Sequence, residues 1–383
     1  MALTFRRAAA IIVITNLFAC GGLFAQQTAL PWWYTLEEGK ELFRQGSYGE
    51  ALVAFERARD QRMAMYTRME QDMITLLSLP ELRIYGDALD LVEGYIASNG
   101  RPSAAAALEE LYYRAPRSSM ANSVRQALAW FGRLKNYPEA EYWIGETYRM
   151  EGELGIALRQ YQRALDNRDL LERPGFDLEI LYKTAGLRRV RQEYAEMEKT
   201  LLEILEGTGP DGLPRGGLWV GSNDPFIRNA MVRTLANDGI DRFLNLYRYN
   251  NTQVLKAHQL LGLYYYAAGR YDEAAEHLMF ALLIQSSVVI DEVLRSEFDF
   301  SYSSLGALFD ALARRPLLRD WLEENAYYKT LYYLGSALYT TGRPLPANGL
   351  WSFLAGQTAA GEWQARSQTQ LRSPALDRAI DPL

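Results

Sequence analysis

Histidine and cysteine, the side chains most often used in nucleophilic catalysis and zinc binding, are scarce in this chain. Among 383 residues there are two histidines, His258 and His277, and one cysteine, Cys20. A Ser–His–Asp or Cys–His centre needs a histidine beside a nucleophile, and a zinc site needs several ligands at short spacings such as H-E-x-x-H. Neither histidine lies in such a pattern. We therefore predict no catalytic residue, no metal site and no enzymatic activity.

One stretch, residues 261–282, combines three consecutive tyrosines with a histidine and several carboxylates. Its sequence is LGLYYYAAGRYDEAAEHLMFAL. Its dominant feature is helical spacing, with apolar residues three and four positions apart. The same spacing recurs along the chain in segments of about 12–16 residues, separated by short breaks that contain glycine or proline. Alternation typical of strands is rare. The pattern predicts an all-α chain of helical hairpins.

Four segments share one glycine and alanine pattern. A glycine is followed seven residues later by a second glycine, five residues later by an alanine, and four residues later by a large residue. We expect the first glycine to allow close helix approach and the second to end the first helix. The alanine should lie where the helices cross, and the large residue should fill the space between successive hairpins. The sets are Gly39, Gly46, Ala51 and Phe55; Gly145, Gly152, Ala157 and Tyr161; Gly262, Gly269, Ala274 and Leu278; and Gly335, Gly342, Ala347 and Trp351.

This pattern resembles the tetratricopeptide repeat family, whose helix–turn–helix unit has about 34 residues. The first glycines are 106, 117 and 73 residues apart, close to whole multiples of that unit plus small insertions. The resemblance implies a right-handed α-solenoid of helical hairpins over residues 26–358, with a Gly/Pro-rich loop at 207–225. Residues 359–383 would form a polar C-terminal cap or tail.

The sequence GTGPDG in that loop has the letters of a dinucleotide-binding fingerprint. The fingerprint requires a strand before it and a helix at its end, whereas here a helical pattern precedes it and prolines follow. We therefore predict no cofactor.

The N-terminal residues 1–25 have the composition of an export signal, with Arg6 and Arg7 before a short apolar run. Two interpretations stay open. Cleavage after Ala25 would give a mature chain without cysteine. Alternatively, LFAC resembles a relaxed bacterial lipobox, in which Cys20 would be acylated and would attach the protein to a membrane. Both predict an exported protein in the periplasm or associated with the outer membrane of a bacterial envelope.

The charge pattern argues against one class of partner. The net charge is −6, and no run of five lysines or arginines occurs. Nucleic-acid binding needs a clustered basic surface. We therefore predict no nucleic-acid partner.

In the tetratricopeptide family, the first helix of each hairpin lines a concave groove, and the resemblance implies partner binding there. Tyrosine and arginine suit recognition because they bury a large area and keep a polar end. Within the triple tyrosine, we expect Tyr265 to be buried on the internal seam and Tyr266 to face the groove. The candidate groove residues are Tyr142, Glu146 and Arg149; Lys256, Gln259 and Tyr266; and Lys329, Tyr332 and Tyr339.

We therefore predict a non-enzymatic scaffold that binds a protein or peptide on the concave face. The family members that bind chaperone C-termini use an asparagine in their clamp. The equivalent places here hold Lys40, Glu146, Leu263 and Ser336, which argues against that activity. Two alternatives stay open: a periplasmic accessory protein of a transport system that binds an apolar small molecule, and a lipid-anchored component of an outer-membrane assembly complex.

Overall fold

The computed structural model describes residues 31–77, 129–130, 132–209, 212–221 and 225–377. In these residues the regular structure is α-helix with short 3-10 turns, and one isolated β-bridge joins Thr208 to Pro214. The prediction of an all-α protein is confirmed. The predicted signal segment and Cys20 lie outside the described residues.

The chain divides into two compact units, Met1–Glu153 and Leu154–Leu383. In the first unit, α1 and α2 form a hairpin and α3 packs against α2. Its core contains Trp32, Phe55, Tyr137 and Ile144, and the Trp32 and Tyr137 rings meet edge to face at 4.8 Å. The helices are α1 (Trp32–Arg44), α2 (Tyr48–Leu77) and α3 (Pro138–Met150).

The second unit is a succession of helices in which neighbours along the chain pack in pairs. The pairs are α5 with α6, α9 with α10, and α13 with α14; α10 also packs against α13, and α14 against α15. The helices are α4 (Leu154–Asp166), α5 (Phe176–Val190), α6 (Tyr194–Glu206), α7 (Leu218–Gly221), α8 (Pro225–Leu246), α9 (Leu255–Ala267), α10 (Tyr271–Ser296), α11 (Leu305–Leu312), α12 (Pro316–Glu324), α13 (Tyr327–Thr340), α14 (Pro344–Ala355) and α15 (Glu362–Arg372).

Left-handed glycines occupy the α9–α10 and α13–α14 turns, whereas Gln192, with φ +62°, occupies the α5–α6 turn. At the end of α9, Gly269 has φ +77°, a conformation that costs glycine no Cβ clash. Its N–H donates to the Tyr266 carbonyl at 3.1 Å, and the Arg270 N–H donates to the Tyr265 carbonyl at 2.8 Å. These bonds satisfy carbonyls that the end of the helix would otherwise leave unpaired. The same left-handed region is occupied by Gly46, Gly152 and Gly342.

The first glycine of the pattern lies where the two helices of a hairpin come closest. A Cβ added at Gly262 would lie 2.6 Å from Leu278 Cγ. We expected the large residue to fill the space between successive hairpins; the structure places it against the glycine of its own hairpin. The equivalent pairs are Gly39 with the Phe55 ring at 2.6 Å and Gly335 with the Trp351 ring at 2.8 Å.

Replacing Gly262 by alanine should lower the free energy of unfolding by about 1–3 kcal/mol, the usual cost of overpacking a core. The new methyl would overlap the Leu278 side chain, and a change of rotamer would not relieve its contact with the Leu278 backbone nitrogen, which is only 3.1 Å away. Urea unfolding followed by circular dichroism measures the change.

The matched control is Gly349→Ala on α14. This glycine is helical and exposed, and a Cβ there would meet no atom within 4 Å. Because alanine has the higher helix propensity, the control should gain up to about 1 kcal/mol. Equal effects at the two glycines would contradict the close contact.

Candidate functional site

Donors from three helices of the second unit converge on Asp377. Its Oδ2 atom accepts hydrogen bonds from the Tyr332 hydroxyl on α13 at 2.6 Å and from the Arg366 guanidinium on α15 at 2.5 Å. Its backbone carbonyl accepts a hydrogen bond from the Tyr266 hydroxyl on α9 at 3.1 Å. Hydrogen bonds to ionised groups are the strong ones, so this arrangement is suited to holding a carboxylate.

Packing between first helices brings the two tyrosines together. Helices α9 and α13 contact each other. The Tyr266 ring meets the ring of Tyr333, the residue after Tyr332 on α13, edge to face with centroids 5.2 Å apart. Tyr266 and Tyr332 are 3% and 1% exposed, so their hydroxyls are directed by surrounding packing. The sequence placed both residues among the groove candidates, and the structure brings both to Asp377.

Aromatic rings surround the cation of the site. The Arg366 guanidinium lies 4.7 Å from the ring centroids of Tyr332 and Trp363 and 5.6 Å from that of Tyr333. It also donates to the Tyr333 hydroxyl at 3.3 Å. A guanidinium over aromatic faces gains cation–π attraction and keeps a fixed plane. Arg366 is therefore oriented toward the carboxylate by groups other than the carboxylate itself.

Gln370 connects the site to the backbone that precedes Asp377. Its Oε1 atom accepts the Ala375 N–H at 2.9 Å, and its Nε2 atom donates to the Tyr332 hydroxyl at 3.2 Å. Residues 373–376 are exposed and non-helical. This segment therefore lies on the protein surface and is held through polar contacts.

Burial keeps both tyrosine hydroxyls protonated. It raises the pKa of Tyr332 to about 12, with the hydrogen bond to the Asp377 carboxylate acting in the same direction. Burial also raises the pKa of Tyr266 above its usual value. Both side chains therefore donate hydrogen bonds throughout the physiological pH range.

The three consecutive tyrosines of α9 have three different surroundings. The ring of Tyr264 stacks on that of Tyr194 at 6.0 Å, and the Tyr265 hydroxyl donates to Glu198 at 2.8 Å. Tyr265 is buried as expected, but Tyr266, expected to face the groove, is equally buried, since each is 3% exposed. Tyr266 donates its hydroxyl to the Asp377 carbonyl.

The other groove candidates of the second unit have separate environments. Gln259 donates to the Asn325 carbonyl at 2.6 Å and to Thr330 at 3.2 Å, which links α9 to the start of α13. Tyr339 packs on Trp351, with ring centroids 5.7 Å apart. Lys256 is exposed and Lys329 is half-buried.

The three candidates in the first unit lie on α3. Tyr142 and Glu146 are each 3% exposed. The Arg149 guanidinium donates to both carboxylate oxygens of Glu146, at 3.1 and 2.8 Å. A charge-balanced pair of this kind satisfies a buried carboxylate.

A second polar cluster, which the sequence did not predict, surrounds the two histidines. The Nδ1 atoms of His258 on α9 and His277 on α10 are 3.0 Å apart, and both side chains are buried. The ring of Trp219 packs against that of His277 at 5.5 Å. Its indole N–H donates to Glu276 at 2.8 Å, and the same carboxylate oxygen accepts a hydrogen bond from Arg228 at 2.8 Å.

Trp219 belongs to the Gly/Pro-rich segment that we predicted as a loop at 207–225, described here at 207–209 and 212–221. Arg215 is 6% exposed and forms an ion pair with Asp177 on α5. Its carbonyl accepts hydrogen bonds from Asn251 at 2.8 Å and Tyr249 at 3.3 Å. The segment is therefore anchored in the second unit at both Arg215 and Trp219.

Within the described part of the chain, no group of three or more His, Cys, Asp or Glu residues could hold a metal ion. One described helix, α10, is long and apolar enough to cross a membrane, with a mean hydropathy of 1.6 in its most apolar window. That window is 78% buried inside the fold, as expected for a central core helix.

No protein-family model matches this chain. The chain is similar to a protein of Treponema pallidum (strain Nichols), with 25% identity over 349 residues that cover 88% of this chain and 89% of the relative. It is also similar to a protein of Borreliella burgdorferi, with 22% identity over 233 residues, 58% of this chain and 70% of that protein. Both relatives are described as uncharacterized proteins, and the first similarity extends over most of both chains.

Proposed function

We propose that this protein is a non-enzymatic interaction scaffold of the bacterial envelope, built as a right-handed solenoid of tetratricopeptide-type hairpins. It binds a protein or peptide on the face formed by the first helices. The observation that carries this proposal is the Asp377 site. There, Tyr266 of α9 and Tyr332 of α13 hold a non-helical stretch of chain by its backbone and its carboxylate.

The shared geometry of the hairpins supports the choice of repeat type. Gly262 with Leu278 and Gly335 with Trp351 make the same close contact, and both hairpins turn at a left-handed glycine. Repeats of one geometry place equivalent residues of their first helices on a common face. That face is where a scaffold of this class would bind an extended partner.

Photo-crosslinking tests the binding face. A photoreactive residue at Lys256, exposed on the first helix α9, should form an adduct with a protein in a native envelope fraction. The matched control is Leu345, which is 82% exposed on the second helix α14. We expect an adduct from position 256 and none from position 345. No adduct, or equal adducts at both positions, would overturn the proposal.

For localisation, we propose export with cleavage after Ala25, and we expect a mature chain that begins at Gln26 and takes up no radioactive palmitate. Intact mass and palmitate labelling of the wild type and a Cys20→Ala variant measure this. Labelling of the wild type that disappears in Cys20→Ala would instead establish acylation of Cys20 and attachment to a membrane.

A further inference from the structure

We propose that Tyr266, Tyr332, Arg366 and Gln370 form a receptor for an aspartate-bearing peptide segment of a partner protein. Residues 373–377 of the chain itself occupy this receptor as an internal ligand. The inference rests on the proposed scaffold function and specifies the chemistry of the segment that the scaffold binds.

The donor set selects a carboxylate. Arg366 is a permanent cation with no acceptor, and Tyr332 keeps its proton, so both groups present N–H or O–H to the same Asp377 oxygen. Because Tyr333 and Trp363 hold the guanidinium in place, the site remains formed when its occupant leaves. An asparagine in the same place would lose the charge that strengthens these bonds.

Two backbone contacts fix the direction and register of the occupant. Gln370 accepts the N–H of Ala375, two residues before the aspartate, and Tyr266 donates to the carbonyl of Asp377 itself. Contacts to main-chain groups do not depend on neighbouring side chains. The receptor therefore requires one aspartate in a non-helical segment and tolerates varied residues beside it.

The internal occupant is held in a way that permits exchange. Residues 373–376 are exposed, and the side chains of Arg366 and Asp377 remain 22% and 17% exposed. Displacing this segment would uncover no buried apolar side chain of its own. A partner segment with the same contacts could replace it, although the tethered segment competes at an effective concentration in the mM range.

The test uses the full chain and a labelled synthetic peptide, RSPALDRA, which has the sequence of residues 372–379 and contains one aspartate. In the wild type, the internal segment should exclude the peptide. In Asp377→Asn, the internal ligand is weakened, and fluorescence polarisation should show binding about tenfold tighter or more. A peptide with asparagine in place of its aspartate should bind Asp377→Asn at least about tenfold more weakly.

Variants in the Asp377→Asn chain identify the receptor. Arg366→Gln should abolish peptide binding, and Tyr332→Phe should weaken it. Arg372→Gln is the matched control because Arg372 lies on the same helix, is exposed and loses the same charge. It should leave binding unchanged. Circular dichroism of each variant confirms that the helices are retained.

Three peptide-binding results would overturn the inference: no peptide binding to a folded Asp377→Asn chain, equal binding of the aspartate and asparagine peptides, or binding that Arg366→Gln does not alter. A wild type that is dimeric and an Asp377→Asn variant that is monomeric by light scattering would also overturn it, since the segment would then be exchanged between copies. A Lys256 adduct that persists while the peptide fails shows that the scaffold function stands without this receptor. Peptide binding without the adduct shows that the scaffold proposal has failed.

Discussion

Replacing Trp219 by alanine is expected to lower the free energy of unfolding by about 3–5 kcal/mol, the usual range for a buried tryptophan. Trp219 is 9% exposed. Its ring packs on His277, with centroids 5.5 Å apart, and its indole N–H donates to Glu276. Removing it opens a cavity beside the histidine pair and releases one end of the 207–221 segment. Urea unfolding followed by circular dichroism measures the loss.

Two control variants separate the contribution of the Trp219 ring to stability from that of its hydrogen bond and from that of the rest of the segment. Trp219→Phe keeps most of the packing and removes the N–H, so it should cost about 1 kcal/mol. Leu213→Ala lies in the same segment at a side chain that is 63% exposed and should change stability by less than about 0.5 kcal/mol. If Trp219→Ala has no larger effect than Leu213→Ala, the anchoring role of Trp219 is wrong.

Acidification from pH 7 to pH 5 is expected to destabilise the second unit by about 4 kcal/mol through its two histidines. Burial lowers the pKa of His277 to about 3, and the positive charges of Arg228 and Arg270 act in the same direction. Burial, followed by the proximity of His277, also holds the pKa of His258 well below its usual value.

The protein loses stability on acidification because the unfolded chain binds protons that the folded chain does not. In the unfolded chain each histidine titrates near 6.5, whereas the folded pair stays neutral until the pH is far lower. The stabilisation is complete above about pH 6.5 and is lost as the pH falls toward the folded pKa values. Each histidine contributes a loss of up to about 1.4 kcal/mol per pH unit in this window.

A non-titrating variant isolates the effect from that of the carboxylates. His277→Gln retains groups that can hydrogen-bond to His258 but cannot take up a proton in this range. Only His258 of the pair titrates in this variant. The part of the decline in unfolding free energy between pH 7 and pH 5 that comes from histidine should therefore be about half that of the wild type. A pH series of urea midpoints for both proteins measures the difference. Parallel curves would show that the pKa of His277 is not lowered in the folded protein.

The sequence predicted the helical class and the local rules of the hairpins because those rules act over short distances. A left-handed residue is needed where α9 turns into α10, and Gly269 supplies it. A residue without a side chain is needed where Leu278 approaches α9, and Gly262 supplies it. Both requirements are visible within one stretch of about two helical turns on either side of the turn.

The site depends on distances that no local pattern contains. Tyr266 and Asp377 are 111 residues apart, and Gln370 and Tyr332 are 38 apart. Their meeting is set by how α9, α13 and α15 pack. The polar composition of residues 359–383 suggested a solvated cap, and composition alone could not assign Arg366 to a carboxylate. Likewise, the contact between His258 and His277 depends on the crossing of α9 and α10 rather than on their spacing in sequence.

Helix α10 has 26 residues and contacts helices of two hairpins in the second unit. This helix packs against α9 and also against α13. Gln285, near its middle, donates to the Asn325 carbonyl just before α13, and the same carbonyl accepts from Gln259 of α9. Repeat arrays usually lose their terminal units one at a time, because each contacts only its neighbours. Here α10 belongs to one hairpin and packs against the first helix of the next, so the two hairpins should open together, and amide hydrogen exchange should give them a single protection level.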